Sequence, residues 1–138
     1  MTSRIHPKEY EMMANFRYAM RKFFRFSREF LAAKANPLTS EQYEALLALK
    51  AFSTNKGLLV GEVSERLQVK HHTAVALMDR LVAQRLVTKR RMRSDRRHVY
   101  VKLTKRGSEL LESLAAAHRN EMRIRGPEII EALSLLKK

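Results

Sequence analysis

The chain has 138 residues, enough for one domain with a hydrophobic core, and its 28 Lys and Arg against 14 Asp and Glu give a formal net charge of +14. Such a balance favours an anionic partner, for which nucleic acid and anionic membrane are the usual candidates. The sequence has no cysteine, which excludes disulfides, thiol redox sensing and Cys-ligated zinc. No apolar run reaches the roughly 18–20 residues that span a bilayer, and no signal pattern is seen, so we expect a cytoplasmic protein without a membrane partner.

The first predicted element is a long helix from Pro7 to Lys34. Its apolar residues recur at helical steps of three, four and seven positions, with cationic residues between them. They are Met13, Phe16, Met20, Phe23 and Phe30. A single helix this apolar needs a second surface to cover it, so the pattern favours a core or dimer stripe over a dedicated small-molecule site.

A second helix is predicted after a break at Asn36-Pro37. Thr39 and Gln42 have the spacing of a capping box, in which the threonine caps the helix and the glutamine reaches back. The helix is expected to end near Phe52. The residues expected on its inner face are Tyr43, Leu46 and Leu47.

Two short helices joined by a three-residue connection follow a turn at 53–57. The helices are predicted at about 61–67 and 71–83, with residues 68–70 between them. Four apolar residues of the second helix form a single stripe at helical spacing. They are Ala74, Leu77, Met78 and Leu81. This arrangement is that of a helix-turn-helix.

After Arg85 the apolar period changes from 3.6 to 2, which indicates β-strands. A hairpin is predicted, with strands at 86–91 and 98–103 and a loop at 92–97. In the second strand, one side of the alternation is apolar and the other is largely polar. The apolar side consists of Val99, Val101 and Leu103.

The chain closes with helices. Thr104 is a good N-cap for a helix that starts at Lys105. Gly126-Pro127 is expected to end this helix, and a last short helix is predicted from Glu128 to about Leu136. The residues expected to face inward are Leu110, Leu111, Leu114 and Ala117.

This order of elements predicts a mainly α (α+β) fold, a winged helix-turn-helix with long N- and C-terminal helices. In that fold the second helix of the motif enters a major groove and the hairpin, or wing, reaches an adjacent groove. The distribution of charge along the chain agrees with this prediction. Residues 64–106 carry 13 basic and 3 acidic side chains, whereas residues 107–138 carry 5 of each. No linker divides the chain, so residues 1–138 are expected to form one domain.

Three stretches carry motifs of a known family. They are L-T-S-E-Q-Y-E-A-L-L-A-L at 38–49, V-S-E-R-L-Q-V-K-H-H-T-A-V-A-L-M-D-R-L at 63–81 and D-R-R-H-V-Y-V-K-L-T-K-R-G at 95–107. Together they resemble the MarR (multiple antibiotic resistance regulator) family. The third is similar to the family's wing signature, D-x-R followed by alternating apolar residues and L-T-x-x-G.

The resemblance implies a homodimer in which the helices of residues 1–36 and 105–138 of two chains interlock. Residues 39–104 would form the winged lobe, with the reading helix at about 71–83 and the wing at about 86–103. Two lobes would read a palindromic operator in double-stranded DNA, as a repressor more often than an activator. In many relatives a small-molecule effector, often phenolic or anionic, binds between the dimerisation helices and the lobe and changes the spacing of the reading helices.

Two departures from the family pattern affect these expectations. Relatives usually carry S-T-V-T-R at the start of the reading helix, whereas this chain has H-T-A-V-A at 72–76, so its base contacts are expected to differ. The missing cysteines exclude the peroxide-sensing branch of the family.

The loop of the wing holds the densest positive charge, R-R-M-R-S-D-R-R at 90–97. Arg97 matches the family's arginine that enters the minor groove, where a planar guanidinium meets concentrated negative potential. Asp95 is expected to orient Arg97 through a charge-assisted hydrogen bond, and the alternative is a solvated acid that only starts the turn. The neighbouring arginines are candidates for phosphate contacts. They are Arg90, Arg91, Arg93 and Arg96.

Residues of the reading helix that face away from its apolar stripe are candidates for DNA contacts. His72 and Thr73 can hydrogen-bond base edges, and Ala76 can contact a thymine methyl group. Lys70 stands at the helix N-terminus, where a phosphate is favourable. The remaining candidates on this face are His71 and Arg80.

Two of these residues have an alternative interpretation. Arg80 or its neighbour Asp79 could instead form a structural ion pair with another element. The adjacent histidines His71 and His72 are candidate metal ligands. However, adjacent helical residues point about 100° apart, and chelating pairs usually sit four residues apart. We therefore expect no metal and no other cofactor.

Other function classes remain as alternatives. The sequence has no Gly-rich phosphate loop, nucleophile elbow or paired carboxylates with an evident pocket, so we expect no enzyme. A basic RNA- or ribosome-associated winged-helix protein is one alternative to a DNA-binding regulator. A dimeric protein-interaction module, with a wing that binds a protein, is the other.

Overall fold

The computed structural model describes residues 4–95 and 97–137, so Arg96 lies outside the described residues. The helices and the wing follow the predicted order, and one short strand is additional. The elements are α1 (Pro7–Ala32), α2 (Ser40–Phe52), β1 (Leu58–Leu59), α3 (Val60–Leu67), α4 (His71–Ala83), β2 (Val87–Arg91), β3 (Val99–Leu103), α5 (Lys105–Leu133) and a 3-10 helix (Ser134–Lys137).

Capping boxes start both α1 and α2. The Thr39 hydroxyl accepts from the Gln42 amide at 3.1 Å, and Gln42 Oε1 accepts from the Thr39 amide at 2.8 Å, which confirms the predicted cap. At α1, His6 Nδ1 accepts from the Lys8 amide at 3.1 Å, and Glu9 Oε1 accepts from the His6 amide at 2.8 Å. These bonds satisfy amides that have no partner within the helix.

The core lies where α2, α4 and the sheet meet. Leu46, Leu49, Met78 and Val101 are almost completely buried there, and each such side chain stabilises the fold by roughly 2 kcal/mol. The sequence predicts Leu47 on the inner face of α2, but this residue is 42% exposed. Helical steps of about 100° place Leu47 outside the arc that the buried residues of α2 occupy.

The three strands form one antiparallel sheet in the order β1-β3-β2. Leu58 pairs with Val101, and on the other edge of β3, Val87 pairs with Leu103. The sequence does not predict β1, because two residues are too short to show an alternation. Gly57 precedes it with a φ of 103°, and a Cβ there would lie 2.2 Å from the Val101 carbonyl oxygen. Only glycine permits this close approach.

α1 packs against α5, but the stripe predicted on α1 is only partly correct. Phe16, Met20, Phe23 and Phe30 are half-buried, whereas Met13 is exposed. The buried residues of this helix are Met12, Ala19, Ser27 and Leu31. Among the described residues, none of the helices combines the length and apolarity that a membrane span requires.

α5 continues through Gly126-Pro127, so the predicted helix end at this dipeptide is wrong. A proline inside a helix removes one hydrogen bond and costs about 3 kcal/mol. Ion pairs lie beside the proline, since Arg125 pairs with Glu121 at 2.9 Å and, across Pro127, with Glu128 at 3.0 Å. Glu128 also pairs with Lys22 of α1 at 2.9 Å.

Candidate nucleic-acid interface

The open face of α4 lies opposite its buried stripe, as the apolar spacing predicts. The four residues of the stripe are all buried in the core. Lys70 precedes the helix with an extended backbone, and its carbonyl accepts from the amides of Thr73 and Ala74. The helix therefore presents a row of short and polar side chains on one face. The exposed residues there include His71, His72, Thr73, Ala76 and Arg80.

At the tip of the wing, Asp95 makes the hydrogen bonds to Arg97 that the motif predicts. Its Oδ1 accepts from the Arg97 backbone amide at 3.0 Å and from Nε at 3.1 Å, and its Oδ2 accepts from Nη2 at 3.3 Å. The Asp95 carbonyl also accepts from the His98 amide at 3.0 Å. The acid thus both shapes the turn and supports the arginine. The Arg97 side chain stays 90% exposed, so its guanidinium is held without being buried.

The same contacts set the charge of Asp95. The side-chain hydrogen bond from Arg97, followed by the one from its backbone amide, lowers the pKa of the Asp95 carboxyl below the ordinary value. His98, whose Nδ1 lies 3.6 Å from Oδ2, lowers this pKa further when it is protonated. Asp95 is therefore ionised wherever nucleic acid is bound near neutral pH.

An ion pair joins α4 to the wing. Asp79 Oδ1 of α4 lies 2.6 Å from Lys89 Nζ of β2, and both side chains are about half exposed. Arg80 is exposed and has no ion-pair partner within the described part of the chain. The structural ion pair raised as an alternative for this stretch is therefore made by Asp79.

The L-T-x-x-G motif explains how the wing, α4 and α5 are held together. The Thr104 amide donates to the Leu86 carbonyl at 3.0 Å, and its hydroxyl donates to the Arg85 carbonyl at 2.7 Å. The same hydroxyl accepts from the Gly107 amide at 2.9 Å, which confirms the predicted N-cap of α5. A Cβ at Gly107 would lie 2.0 Å from the Leu86 carbonyl oxygen, so only glycine allows this packing.

The other predicted arginines of the wing are spread along it. Arg90 and Arg91 end β2, Arg93 lies in the loop, and all three are exposed. Arg96 is also predicted to contact DNA, but it lies outside the described residues. The structure thus places the described arginines on the open surface of the hairpin.

A cleft of about 720 Å³ separates α4 from the wing. His71 lines it from the helix, and Lys89, Arg91 and Arg97 line it from the wing. Predicted residues of two separate elements are thereby brought to one concave surface. Glu62, Glu65 and Asp79 line it as well, so the cleft carries charges of both signs.

His118, for which the sequence indicates no role, is buried at the junction of α1, α2 and α5 with 3% of its surface exposed. Its ring stacks on Tyr43 with 4.2 Å between centroids, Nδ1 is 2.8 Å from the Leu114 carbonyl, and Nε2 is 2.8 Å from the Ser27 hydroxyl. Because a carbonyl only accepts, Nδ1 donates to Leu114, and both ring nitrogens have a hydrogen-bond partner in the core. The spacing 111, 114, 118 was the available signal, since it continues the apolar stripe of α5.

Comparison with known proteins agrees with this geometry. Residues 36–98 match the model of the MarR family. AbsC, a MarR family transcriptional regulator from Streptomyces coelicolor, superposes with a TM-score of 0.75 at 19% identity, over 99% of this chain and 96% of that chain. The MepR–DNA complex from S. aureus gives 0.73 at 21% identity over 88% of each chain.

A further similar structure is that of BpsR from Bordetella bronchiseptica, whose DNA binding is regulated by 6-hydroxynicotinic acid. It superposes with a TM-score of 0.71 at 20% identity, over 92% of this chain and 96% of that chain. Comparison with curated proteins gives no match.

The open face of α4 beside a cationic hairpin defines a winged helix-turn-helix protein. The solved structures establish this fold over nearly the whole chain, and the family model covers most of the lobe that carries the motifs. The match of residues 36–98 to the MarR family model, together with the shared fold, confirms the resemblance to that family seen in the sequence.

Proposed function

We propose that the protein is a homodimeric transcriptional regulator that binds a palindromic operator in double-stranded DNA, represses transcription and is released by a small-molecule ligand. The observation that carries this proposal is the pair Asp95–Arg97, which holds an exposed guanidinium at the tip of a cationic hairpin. A loop that served only solubility would gain nothing from an acid that orients one of its arginines.

In this proposal the open face of α4 enters a major groove. Thr73 and His72 hydrogen-bond base edges, and Ala76 contacts a thymine methyl group. Lys70, at the helix N-terminus, contacts a phosphate. The structure of MepR bound to DNA supports this docking for a chain of similar fold.

The wing would bind the adjacent minor groove through Arg97. A narrow minor groove concentrates negative potential and favours an arginine that is already held in position. Arg90, Arg91 and Arg93 would contact phosphates, which adds affinity without sequence preference. The Asp79–Lys89 ion pair fixes β2 against α4, so both elements would reach the duplex as one unit.

Exposed apolar side chains on α1 and on the C-terminal half of α5 support a dimer. Such side chains lie on helices that already pack their other faces within the chain, and a second copy would cover them. Two-fold symmetry would then present two reading helices to two half-sites. The side chains in question are Tyr10, Met13, Met122 and Ile130, with 42% to 72% of their surface exposed.

Release by a ligand requires different affinities for two states of the dimer. One state has its reading helices at the spacing of the operator half-sites, and the other does not. A ligand that binds the second state more tightly lowers operator affinity, at most by the ratio of its affinities for the two states. The regulation of BpsR by 6-hydroxynicotinic acid supports this part of the proposal through the shared fold.

Selection of duplex fragments from the source genome, followed by fluorescence anisotropy on the best fragment, tests the proposal. We expect one dimer per site and competition by the specific duplex that is about 100-fold stronger than by a scrambled duplex. Equal competition by an RNA of the same length would contradict operator reading and favour the RNA-binding alternative. Absence of binding to every nucleic acid would favour the protein-interaction module.

A further inference from the structure

The open face of α1 carries a second concentration of positive charge, on a helix that packs mainly against α5 rather than against α4 or the wing. Residues 12–28 hold five basic side chains and no acidic one. Four of the five are arginines at positions 17, 21, 25 and 28, and these steps keep them on one side of the helix. They span about 16 Å, because a helix rises by about 1.5 Å per residue. These four residues are called the arginine row.

A groove of about 740 Å³ runs along this face and is lined by all five basic residues. None of the described residues that line the groove is acidic. Arg25 pairs with Glu29 at 3.1 Å. The other three arginines of the row are exposed and have no ion-pair partner within the described part of the chain. Their guanidinium groups are therefore available to an anion from outside.

The arginine row is unfavourable for the helix that carries it. Like charges four residues apart, as in the pairs 17 and 21 or 21 and 25, repel each other and destabilise a helix. A surface that served only solubility would mix the two signs of charge. Residues 107–138 show that mixture, with five basic and five acidic side chains. The row therefore indicates an anionic partner whose charge offsets the repulsion.

Two exposed aromatic side chains line the same groove. Tyr18 is 60% exposed and Phe24 is 42% exposed. The remaining cation of the groove, Lys22, lies with Nζ 4.2 Å from the centre of the Tyr18 ring. A groove that combines cations with exposed aromatic rings is typical of proteins that bind single-stranded nucleic acid, because the cations follow the phosphates and the rings stack on bases.

We propose that the arginine row and its two aromatic neighbours form a second nucleic-acid contact, which binds a single strand without reading its sequence. Arg17, Arg21 and Arg28 pair with phosphates, for which the guanidinium fork is well suited. Tyr18 and Phe24 stack on bases of the same strand. A duplex suits this surface less well, because its bases are paired and stacked inside and do not reach the rings.

A membrane and an acidic protein fit the same surface less well than a single strand does. A helix that lies on a membrane inserts a continuous apolar face, whereas the buried residues of α1 pack within the chain and cations separate Tyr18 from Phe24. An acidic protein would pair with the arginines but would offer no bases to the two rings. The aromatic side chains therefore favour nucleic acid.

This contact is separate from the surfaces used in the proposed function. The apolar residues of α1 proposed for the dimer, Tyr10 and Met13, precede the row, and two rows of like charge would not pack against each other. Binding of a single strand is thus independent of operator binding by α4 and the wing. Where both occur, one dimer holds an operator duplex and a single strand at the same time.

Three labelled strands of about 12 nucleotides test the chemistry of the site on the full-length protein by fluorescence anisotropy. They are an oligothymidylate, an oligouridylate and an abasic strand with the same phosphates. We expect both strands that carry bases to bind with a Kd below about 100 µM at about 0.1 M salt. The abasic strand should bind more weakly by about fivefold or more, because it has nothing to stack on the rings.

A matched pair of double variants tests the arginine row. Arg17→Gln with Arg21→Gln should weaken oligothymidylate binding by about tenfold. It should not lower the melting temperature, because it removes like charges four residues apart. Arg119→Gln with Arg123→Gln removes the same charge at the same spacing from exposed positions of α5 outside the groove, and should change the affinity by less than about twofold.

Variants of Tyr18 test the stacking contact. Tyr18→Ala should weaken oligothymidylate binding by about fivefold and change the affinity for the abasic strand by less than about twofold. Tyr18→Phe keeps the ring and should retain the affinity for both strands. Because the side chain is mostly exposed, neither substitution removes a buried contact of the core.

The proposal is overturned if no strand binds, if the abasic strand binds as tightly as the others, or if the α5 double variant weakens binding as much as the α1 double variant. It is also overturned if the α1 double variant weakens binding of a scrambled duplex, oligoglutamate or phosphatidylglycerol vesicles by a larger factor, because the row would then serve that partner. None of these measurements uses the operator. A failed operator assay therefore leaves this result intact, and a failed strand titration leaves operator binding intact.

Discussion

Asp95 is an acid at a surface proposed to meet phosphates, and its charge alone would weaken that contact. Its three hydrogen bonds from Arg97 give it a compensating role, because an arginine already held in place loses less freedom when it enters a groove. The lowered pKa of the Asp95 carboxyl keeps this support charged at and well below neutral pH. The residue pair, rather than the number of arginines, gives the wing its specific geometry.

Arg97→Ala should therefore weaken binding to the selected operator by about 1–3 kcal/mol, and Asp95→Ala should cause part of the same loss. Arg93→Ala, an exposed arginine of the same loop, should weaken specific and non-specific duplexes by similar factors. Fluorescence anisotropy on both duplexes measures all three variants. Tighter binding by Asp95→Ala would show that the acid acts only as a repulsive charge.

At this scale the sequence predicts contacts between near neighbours and misses distant ones. The Asp95–Arg97 bond could be predicted because both residues belong to one turn. The contact between His118 and Ser27 spans 91 residues, and nothing in the local pattern of either residue indicates the other. The left-handed backbone of Arg85, with a φ of 62°, could not be predicted for a related reason, since arginine gives no local signal for that conformation.

The junction of α4, the wing and α5 fixes the position of the hairpin relative to α4. Thr104 bonds to the end of α4 and caps α5, and Gly107 brings the first turn of α5 against the Leu86 carbonyl. The L-T-x-x-G motif is thus a structural clamp for the wing. Its glycine is required by space, whereas a Cβ added at Gly126 of the same helix would have nothing within 4 Å of it.

Gly107→Ala and Gly126→Ala form a matched pair within α5. Gly107→Ala should lower the free energy of unfolding by about 2 kcal/mol or more, because the new methyl group meets backbone that cannot move away. Gly126→Ala should leave it unchanged or raise it by up to about 1 kcal/mol, since alanine favours helix and the space is open. Urea unfolding measures both. Equal effects would contradict the clamp.

α5 continues through Pro127 beside a set of ion pairs of which one, from Lys22 of α1, joins residues far apart in the sequence. A proline at this position predicts a helix end, yet Arg125 links Glu121 and Glu128 across it, and Lys22 of α1 holds Glu128. β1 was missed because two residues form a strand only through their pairing with β3. The outward position of Leu47 was missed because the neighbouring elements decide which face of α2 is buried.

Acid should weaken the link between α1 and α5. The hydrogen bond from Lys22, the largest cause, lowers the pKa of Glu128, so this residue contributes stability above its unfolded pKa and loses it as the pH falls through the lowered value. Glu128→Gln should therefore destabilise the protein at pH 7 and have less effect near about pH 3. Glu112→Gln, an exposed control on α5, should have no comparable effect at pH 7. A Glu128→Gln effect that is independent of pH would contradict this origin.

For the whole molecule, the charge is concentrated in the winged lobe, and the C-terminal third is neutral. A dimer that neutralises roughly six phosphates or more should lose about 10³-fold in operator affinity between 50 and 200 mM salt. Anisotropy titrations across that range give the slope. A flat response would show that the cations of α4 and the wing do not contact the nucleic acid.

Hydroxyl-radical footprinting of the selected operator tests whether a dimer reads two half-sites, because it shows which part of a duplex the protein covers. We expect two protected half-sites related by two-fold symmetry, with centres one or two helical turns apart and protection that extends into the flanking minor grooves. Arg97→Ala should lose the flanking protection and keep the central one. Uniform protection along the duplex, or none, would contradict a dimer that reads a palindrome with α4 and the wing.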